Sequence, residues 1–203
     1  MELKEHWEHV FTTKKIEEVS WYQPKPETSL NFFTENNIPK SGSILEVGGG
    51  DSFLMDFLIE MGYQNLHLLD ISANALQRIQ HRLGEKSKKV TFIESNIIDF
   101  QPNQTFDVWH DRACFHFLKD EKHIHAYVAT ASKLITSNGH LFIGTFSKQG
   151  PLKCSGLEIS QYDAADLIAL FEKDFTPVKC FQSNHPTPSG NIQNFTFCHF
   201  QKK

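Results

Sequence analysis

The residues able to do chemistry in this 203-residue chain gather in three short stretches. The first is Glu46-Val47-Gly48-Gly49-Gly50-Asp51-Ser52, a glycine run with acids on both sides. A strand, a glycine turn and a helix together hold nucleotide-like ligands. The glycines let the backbone approach closely, and the helix start offers free N–H groups. The second stretch is a pair of polar residues closing apolar segments, Asp70 and Asn96, each followed by an isoleucine, Ile71 and Ile97. The third is His110-Asp111-Arg112-Ala113-Cys114-Phe115-His116, a dense polar run in apolar surroundings.

The first stretch fits dinucleotides poorly. The third glycine of G-x-G-x-x-G is replaced by Phe53, and Asp51 would repel phosphate oxygens. The phosphate-loop pattern G-x-x-x-x-G-K-[ST] is absent. S-adenosylmethionine suits an acid-rich pocket better, since it has an adenosine, no phosphate, and a positive sulfonium and amine. Gly48 and Gly50 would let it approach, with Glu46 just ahead of the turn. Asp70 is placed to accept both ribose hydroxyls. Asn96 offers an amide to the adenine amino group, and Ile97 an apolar wall. Asp111, through its carbonyl or its carboxylate, is the natural anchor for the methionine amine.

Methyl transfer is an in-line displacement that needs little beyond positioning. A base matters only if the acceptor carries a proton, and His110 or His116 would serve. Arg112 is one of only three arginines, and buried guanidinium groups favour carboxylates and phosphates. Two readings stand for each of these side chains. Arg112 either meets the acceptor or pairs with Asp111 or another acid, and His116 is either a base or a packed core histidine. His123 and His125, two apart on a helix, point away from each other and imply no metal site.

Alternating elements must position these groups. Apolar segments at 43–47, 66–70, 90–93, 105–110 and 140–146 read as strands. Helical patterns lie between them at 53–61, 72–83 and 121–135, with a turn expected at Ser137-Asn138-Gly139. Strands alternating with helices imply βαβ units and a parallel sheet covered on both faces. After a helix at 164–171, runs at 175–182 and 192–200 read as an antiparallel pair joined by a Ser183–Asn191 loop. Ahead of this core lie a short helix over 2–12, an extended connector carrying Trp21 and Tyr22, and a helix from Glu27 to about Asn36.

Composition bounds the function. Twenty basic against 24 acidic residues give a net charge of −4, so nucleic acid and anionic membranes are not expected partners. No apolar run is long enough to cross a membrane, and the charged start is unlike a secretory signal. Four scattered cysteines imply free thiols in a reducing compartment, and hence a cytoplasmic location.

The ordered set Leu45–Ser52, Leu69–Ser72, Asn96-Ile97, Phe106–Arg112 and Ser137–Leu141 resembles the class I S-adenosylmethionine-dependent methyltransferases. Ser52 and Asn96 depart from the commoner Gly and Asp. The Gly-Asp-Ser variant is similar to elongation-factor lysine methyltransferases. Trp21-Tyr22-Gln23, His110-Asp111-Arg112, His116-Phe117 and Gly150–Leu157 look like a small bacterial-type subgroup. The resemblance implies a single Rossmann-like α/β domain over 1–203, with residues 1–40 as an arm and lid and 41–203 as a doubly wound, mostly parallel core. It also implies that the fourth strand lies beside the first. Trp21 and Tyr22 would then cover the cofactor or simply pack the arm, and the Gly150–Gly156 loop would meet the acceptor. The reaction implied is methylation of N, O or S on a small molecule or a protein lysine, with S-adenosylhomocysteine as product. A cofactor-binding protein without transfer stays open, because no single catalytic residue is mandatory. A nicotinamide-linked oxidoreductase is disfavoured.

Overall fold

A computed structural model describes residues 3–203. Helix α1 (Leu3–Thr13) and α2 (Glu27–Glu35) precede β1 (Ser43–Val47), α3 (Leu54–Glu60), β2 (Asn65–Asp70), α4 (Ala73–Leu83) and β3 (Val90–Glu94). Then come β4 (Phe106–Arg112), α5 (Glu121–Leu134), β5 (Ile135–Phe146), a small hairpin β6 (Lys153–Cys154) and β7 (Leu157–Glu158), α6 (Ala164–Phe171), β8 (Phe175–Pro186) and β9 (Ile192–Lys202). The seven-stranded sheet has the order β3-β2-β1-β4-β5-β9-β8. β1 to β5 are parallel, and β9 and β8 close one edge as the expected antiparallel pair. The order reverses at β1/β4, which opens a crevice beyond the carboxyl ends of those strands.

Period-two alternation sends neighbouring side chains to opposite faces. Ile44, Leu66, Leu68, Val108 and Phe142 pack under α2, α3 and α4, while Leu45, Leu69, Trp109, Leu141 and Ile143 pack under α5 and α6. Many phenylalanines are core, among them Phe33, Phe106, Phe142 and Phe197, each at most 2% exposed. Burial of that kind is the main term holding such a sheet together.

Three expectations need correction. The turn at Ser137-Asn138-Gly139 lies inside β5. Phe106 faces Ile135 and Val108 faces His140, so 136–139 bulges out without breaking the ladder. Asn138 there adopts φ 62, a conformation that asparagine tolerates. The loop expected at Ser183–Asn191 shrinks to a turn, because β8 continues to Pro186. β8 is an edge strand, where a proline's missing N–H costs little. Finally, not all cysteines are free thiols. Cys180 and Cys198 face each other across β8 and β9 and form a disulfide with Cα atoms 4.2 Å apart, leaving Cys114 and Cys154 free. That pairing depends on strand register, which cysteine spacing does not reveal. No helix among the described residues is long and apolar enough to cross a membrane.

Candidate active site

Two adjoining cavities open at the carboxyl ends of the strands and share Trp21, Gly48 and Arg112. The first encloses about 780 Å³ including its mouth. Gly48, Gly50, Asp70, Ile71, Asn96 and Ile97, six of the residues expected to hold a cofactor, line it together. Asp70 ends β2, where two backbone N–H groups converge on its carboxylate. Gly50 donates to Oδ2 at 2.8 Å and Ser72 to Oδ1 at 2.8 Å. Ser72 also caps α4, accepting from the Ala75 N–H. Burial raises the Asp70 carboxyl to about 6, and the two N–H donors work against that rise. Asn96 accepts from the Ile98 N–H at 3.3 Å and starts a short helical turn that sets Ile97 against the cavity.

The roof of this cavity is α1. Glu8 accepts from Ser72 Oγ at 2.9 Å and from the N–H groups of Ala73 and Asn74 at 2.8 and 3.1 Å. It thus satisfies the N-terminus of α4 from another helix. Arg78 donates to the carbonyls of Phe11 and Lys14 at the other end of α1. The Trp7 ring stands 5.7 Å from Trp21 and 5.2 Å from Phe117, edge to face. Trp7, Phe11 and Phe117 line the cavity without being sequence candidates; the signal for the first two is their i,i+4 spacing on one helix.

The second cavity, about 510 Å³, lies under the arm and is lined by Tyr22, Ser29, Glu46, His110 and Arg112 among others. Alternation explains this grouping: Glu46, His110 and Arg112 share the α2 face of the sheet. Ser52 donates to Glu46 Oε1 at 2.8 Å, and Oε2 is buried without a partner. Burial raises Glu46 to about 7. His110 Nε2 pairs with Ser29 Oγ at 2.8 Å, and its Nδ1 is buried without a partner. Burial, aided by Arg112, lowers His110 to about 3, so it is a neutral ring at physiological pH.

Two candidates line neither cavity. Asp111 points to the opposite face. It accepts from Tyr127 Oη at 2.6 Å and from the N–H groups of Cys114 and Phe115. Its carboxylate braces the loop after β4, which leaves only its carbonyl for a ligand. His116 is fully buried and accepts from the Phe146 N–H at 3.3 Å, and burial lowers it to about 3. The alternative pairing of Arg112 with Asp111 fails for the same reason, since Asp111 is engaged on the other face.

The donor set suits S-adenosylmethionine. Asp70 keeps lone pairs for hydroxyls, Leu69, Ile97 and Leu118 supply apolar walls, and Glu46 keeps an unpartnered carboxyl oxygen while lining the second cavity.

Comparison with known proteins agrees with this geometry. The methyltransferase-domain family matches residues 45–141. A mouse (Mus musculus) eEF1A lysine and N-terminal methyltransferase is 23% identical over 96% of this chain and 30% of its own length. Malonyl-[acyl-carrier protein] O-methyltransferase 2 of Ilyobacter polytropus is 23% identical over 66% of this chain and 51% of its own. The chain therefore spans about half or less of the curated relatives it matches. Among solved structures, the N-methyltransferase NodS of Bradyrhizobium japonicum, in complex with S-adenosylhomocysteine, superposes with a TM-score of 0.73. That match is 14% identical and covers 97% of this chain and 98% of NodS. Residues 45–141 thus match the methyltransferase-domain family, and the chain shares its fold with a solved N-methyltransferase.

Proposed function

We propose that the protein moves a methyl group from S-adenosylmethionine to an N, O or S acceptor on a small molecule or a protein lysine. The observation that carries this is Asp70, oriented by the Gly50 and Ser72 N–H groups toward an apolar cavity at the switch point of the sheet. Bound cofactor would supply an electrophilic methyl on its sulfonium. Asp70 would hold the ribose, and Asn96 and Ile97 the adenine. Gly48, Glu46 and the Asp111 carbonyl would hold the amino-acid end. The neutral His110 ring is a weak base, so the contribution of the chain is mainly positioning and exclusion of water by the arm.

The same reading treats 1–203 as one domain, with residues 1–40 as arm and lid over a core from 41. The Glu8 and Arg78 contacts to α1 support it. A cytoplasmic location belongs to the proposal too. The Cys180–Cys198 disulfide counts against it, and cell fractionation decides. The relatives' names support a protein lysine acceptor in one case and an O acceptor on a carrier-bound malonyl group in another. Transfer of labelled methyl into a cell extract, split by size, separates them. Label only in small molecules removes the lysine version, label only in protein removes the small-molecule version, and no label in either refutes the proposal.

A further inference from the structure

Arg112 is the odd cation of this fold. Arg78 pairs with Asp51 at 3.0 Å and Arg82 with Asp56 at 2.8 Å. Arg112 forms no ion pair among the described residues. Its Nη1 donates to the Trp21 carbonyl at 3.3 Å, and its guanidinium carbon stands 5.1 Å from the centre of the Phe195 ring. Its Nη2 is closed off from solvent and has no partner among the described residues. Of the groups around it, only Glu46 carries opposing charge, and it makes no hydrogen bond or ion pair with Arg112. Cys154 is a thiol held up to about 11, His110 and His116 are uncharged rings, and Glu46 stands near half-ionisation at neutral pH. A guanidinium does not give up its proton in a protein, and a charge taken from water without a partner is costly.

The position of Arg112 matters as much as its isolation. It lines both cavities at their joint, beside Gly48. Other sealed, unpartnered polar atoms belong to residues near it: His110 Nδ1 in the second cavity, and Ser155 Oγ next to Cys154, which lines the first. More than nine-tenths of buried polar groups find partners in folded proteins. Arg112 Nη2 is thus an unmet charged donor at the joint of two cavities, and such a donor suits an anion.

We propose that Arg112 receives a carboxylate or phosphate group of the methyl acceptor, so that the acceptor is a small anion and not a protein lysine. The proposal rests on the methyltransferase reading and narrows it. A lysine ammonium brought to this joint would meet the positive charge of Arg112, only partly offset by Glu46, whereas a carboxylate or phosphate would pair with it. The cofactor has a carboxylate of its own, which shares this chemistry, so the test must separate the two sources.

The experiment follows the unfolding temperature of the full chain while sodium formate or inorganic phosphate is titrated against chloride at matched ionic strength. It is run without ligand, with saturating S-adenosylhomocysteine, and with 5′-methylthioadenosine, which lacks the amino-acid end. The expected result is a saturable rise with formate or phosphate in the S-adenosylhomocysteine complex, absent with chloride, lost in R112Q and partly kept in R112K. A rise that S-adenosylhomocysteine abolishes but 5′-methylthioadenosine does not would assign Arg112 to the cofactor carboxylate and overturn the proposal. No rise in any wild-type arm would overturn it as well, and these arms decide even if R112Q does not fold. Failure of S-adenosylhomocysteine to bind brings down the methyltransferase reading and this inference with it. Binding without an anion response brings down the inference alone.

Discussion

The β1–β3 side of the site and the β4–β5 side are finished to different degrees. At the ends of β2 and β3, backbone N–H groups already satisfy the key side chains: Asp70 accepts two, Asn96 accepts one, and Ser72 caps a helix, while Glu46 in β1 keeps one buried oxygen without a partner. Beyond β4 and β5, His110 Nδ1, Arg112 Nη2, His116 Nε2 and Thr145 Oγ1 are buried without partners. The first side is preorganised and needs little reorganisation to bind, which is the cheapest route to affinity. The second holds unmet hydrogen-bonding capacity, of which His110 and Arg112 line the cavities. Under the proposed function, the β2–β3 side is the finished cofactor side, and the β4 side holds the polar atoms left for an acceptor.

The largest effect should come from the turn that joins the two sides. Gly48 sits at φ +60, and a Cβ there would lie 2.6 Å from the Cys114 Cβ. Gly48→Ala should cost about 2–5 kcal/mol of stability, from left-handed strain plus overpacking. Urea unfolding measures it, and a loss below about 1 kcal/mol would mean that the turn yields and the rigid side is not rigid. Next comes Asp70→Ala, which should weaken S-adenosylhomocysteine by about 1.5–3 kcal/mol through loss of a charged hydrogen-bond acceptor. Titration calorimetry reads this directly, and unchanged affinity would place the ribose partner elsewhere.

Acidity should sharpen the contrast. The Asp70 carboxyl is raised from 3.8 to about 6 in the folded chain, so the folded state holds this proton more tightly than the unfolded state. Its contribution to stability is therefore greatest below its ordinary value and declines as pH rises from there to about 6. Ligand binding has the opposite sign, because the ionised carboxylate is the better acceptor for ribose. Affinity for S-adenosylhomocysteine should be full above about pH 6 and fall by up to about tenfold per pH unit below it. A flat profile from pH 7 to 5 would remove Asp70 from the ligand shell. The smallest effect should follow Glu8→Gln at the roof. Weakening this cap of α4 should cost about 0.5–2 kcal/mol and speed release of S-adenosylhomocysteine in stopped-flow fluorescence. An unchanged release rate would show that α1 does not gate the cavity.

The same division explains what the sequence made legible. Gly48–Gly50, Asp70 and Asn96 lie at the ends of short strands, each fixed by the turn or helix that follows it. Local sequence therefore predicts their convergence. The β4 end depends on which face each residue takes. Alternation separates His110 and Arg112 from Asp111, and Asp111 goes to Tyr127 rather than to the ligand. The two-residue period of His110-Asp111-Arg112 is the signal that sends the Asp111 carboxylate to the other face. His116 is decided by packing against Phe146, and the Cys180–Cys198 pairing by register between distant strands. The roles of Trp7 and Glu8 depend on where α1 docks, and nothing local encodes that.

The most direct measurement is thermal unfolding with and without S-adenosylhomocysteine. At about 100 times its dissociation constant the ligand adds roughly 2.7 kcal/mol. For a chain of this size, at about 2–4 °C per kcal/mol, that is a rise of roughly 5–11 °C. A rise of that order, reduced in Asp70→Ala, is the predicted result. A folded protein whose unfolding temperature ignores the ligand would contradict the account at its centre, because the finished side of the site would then have nothing to hold.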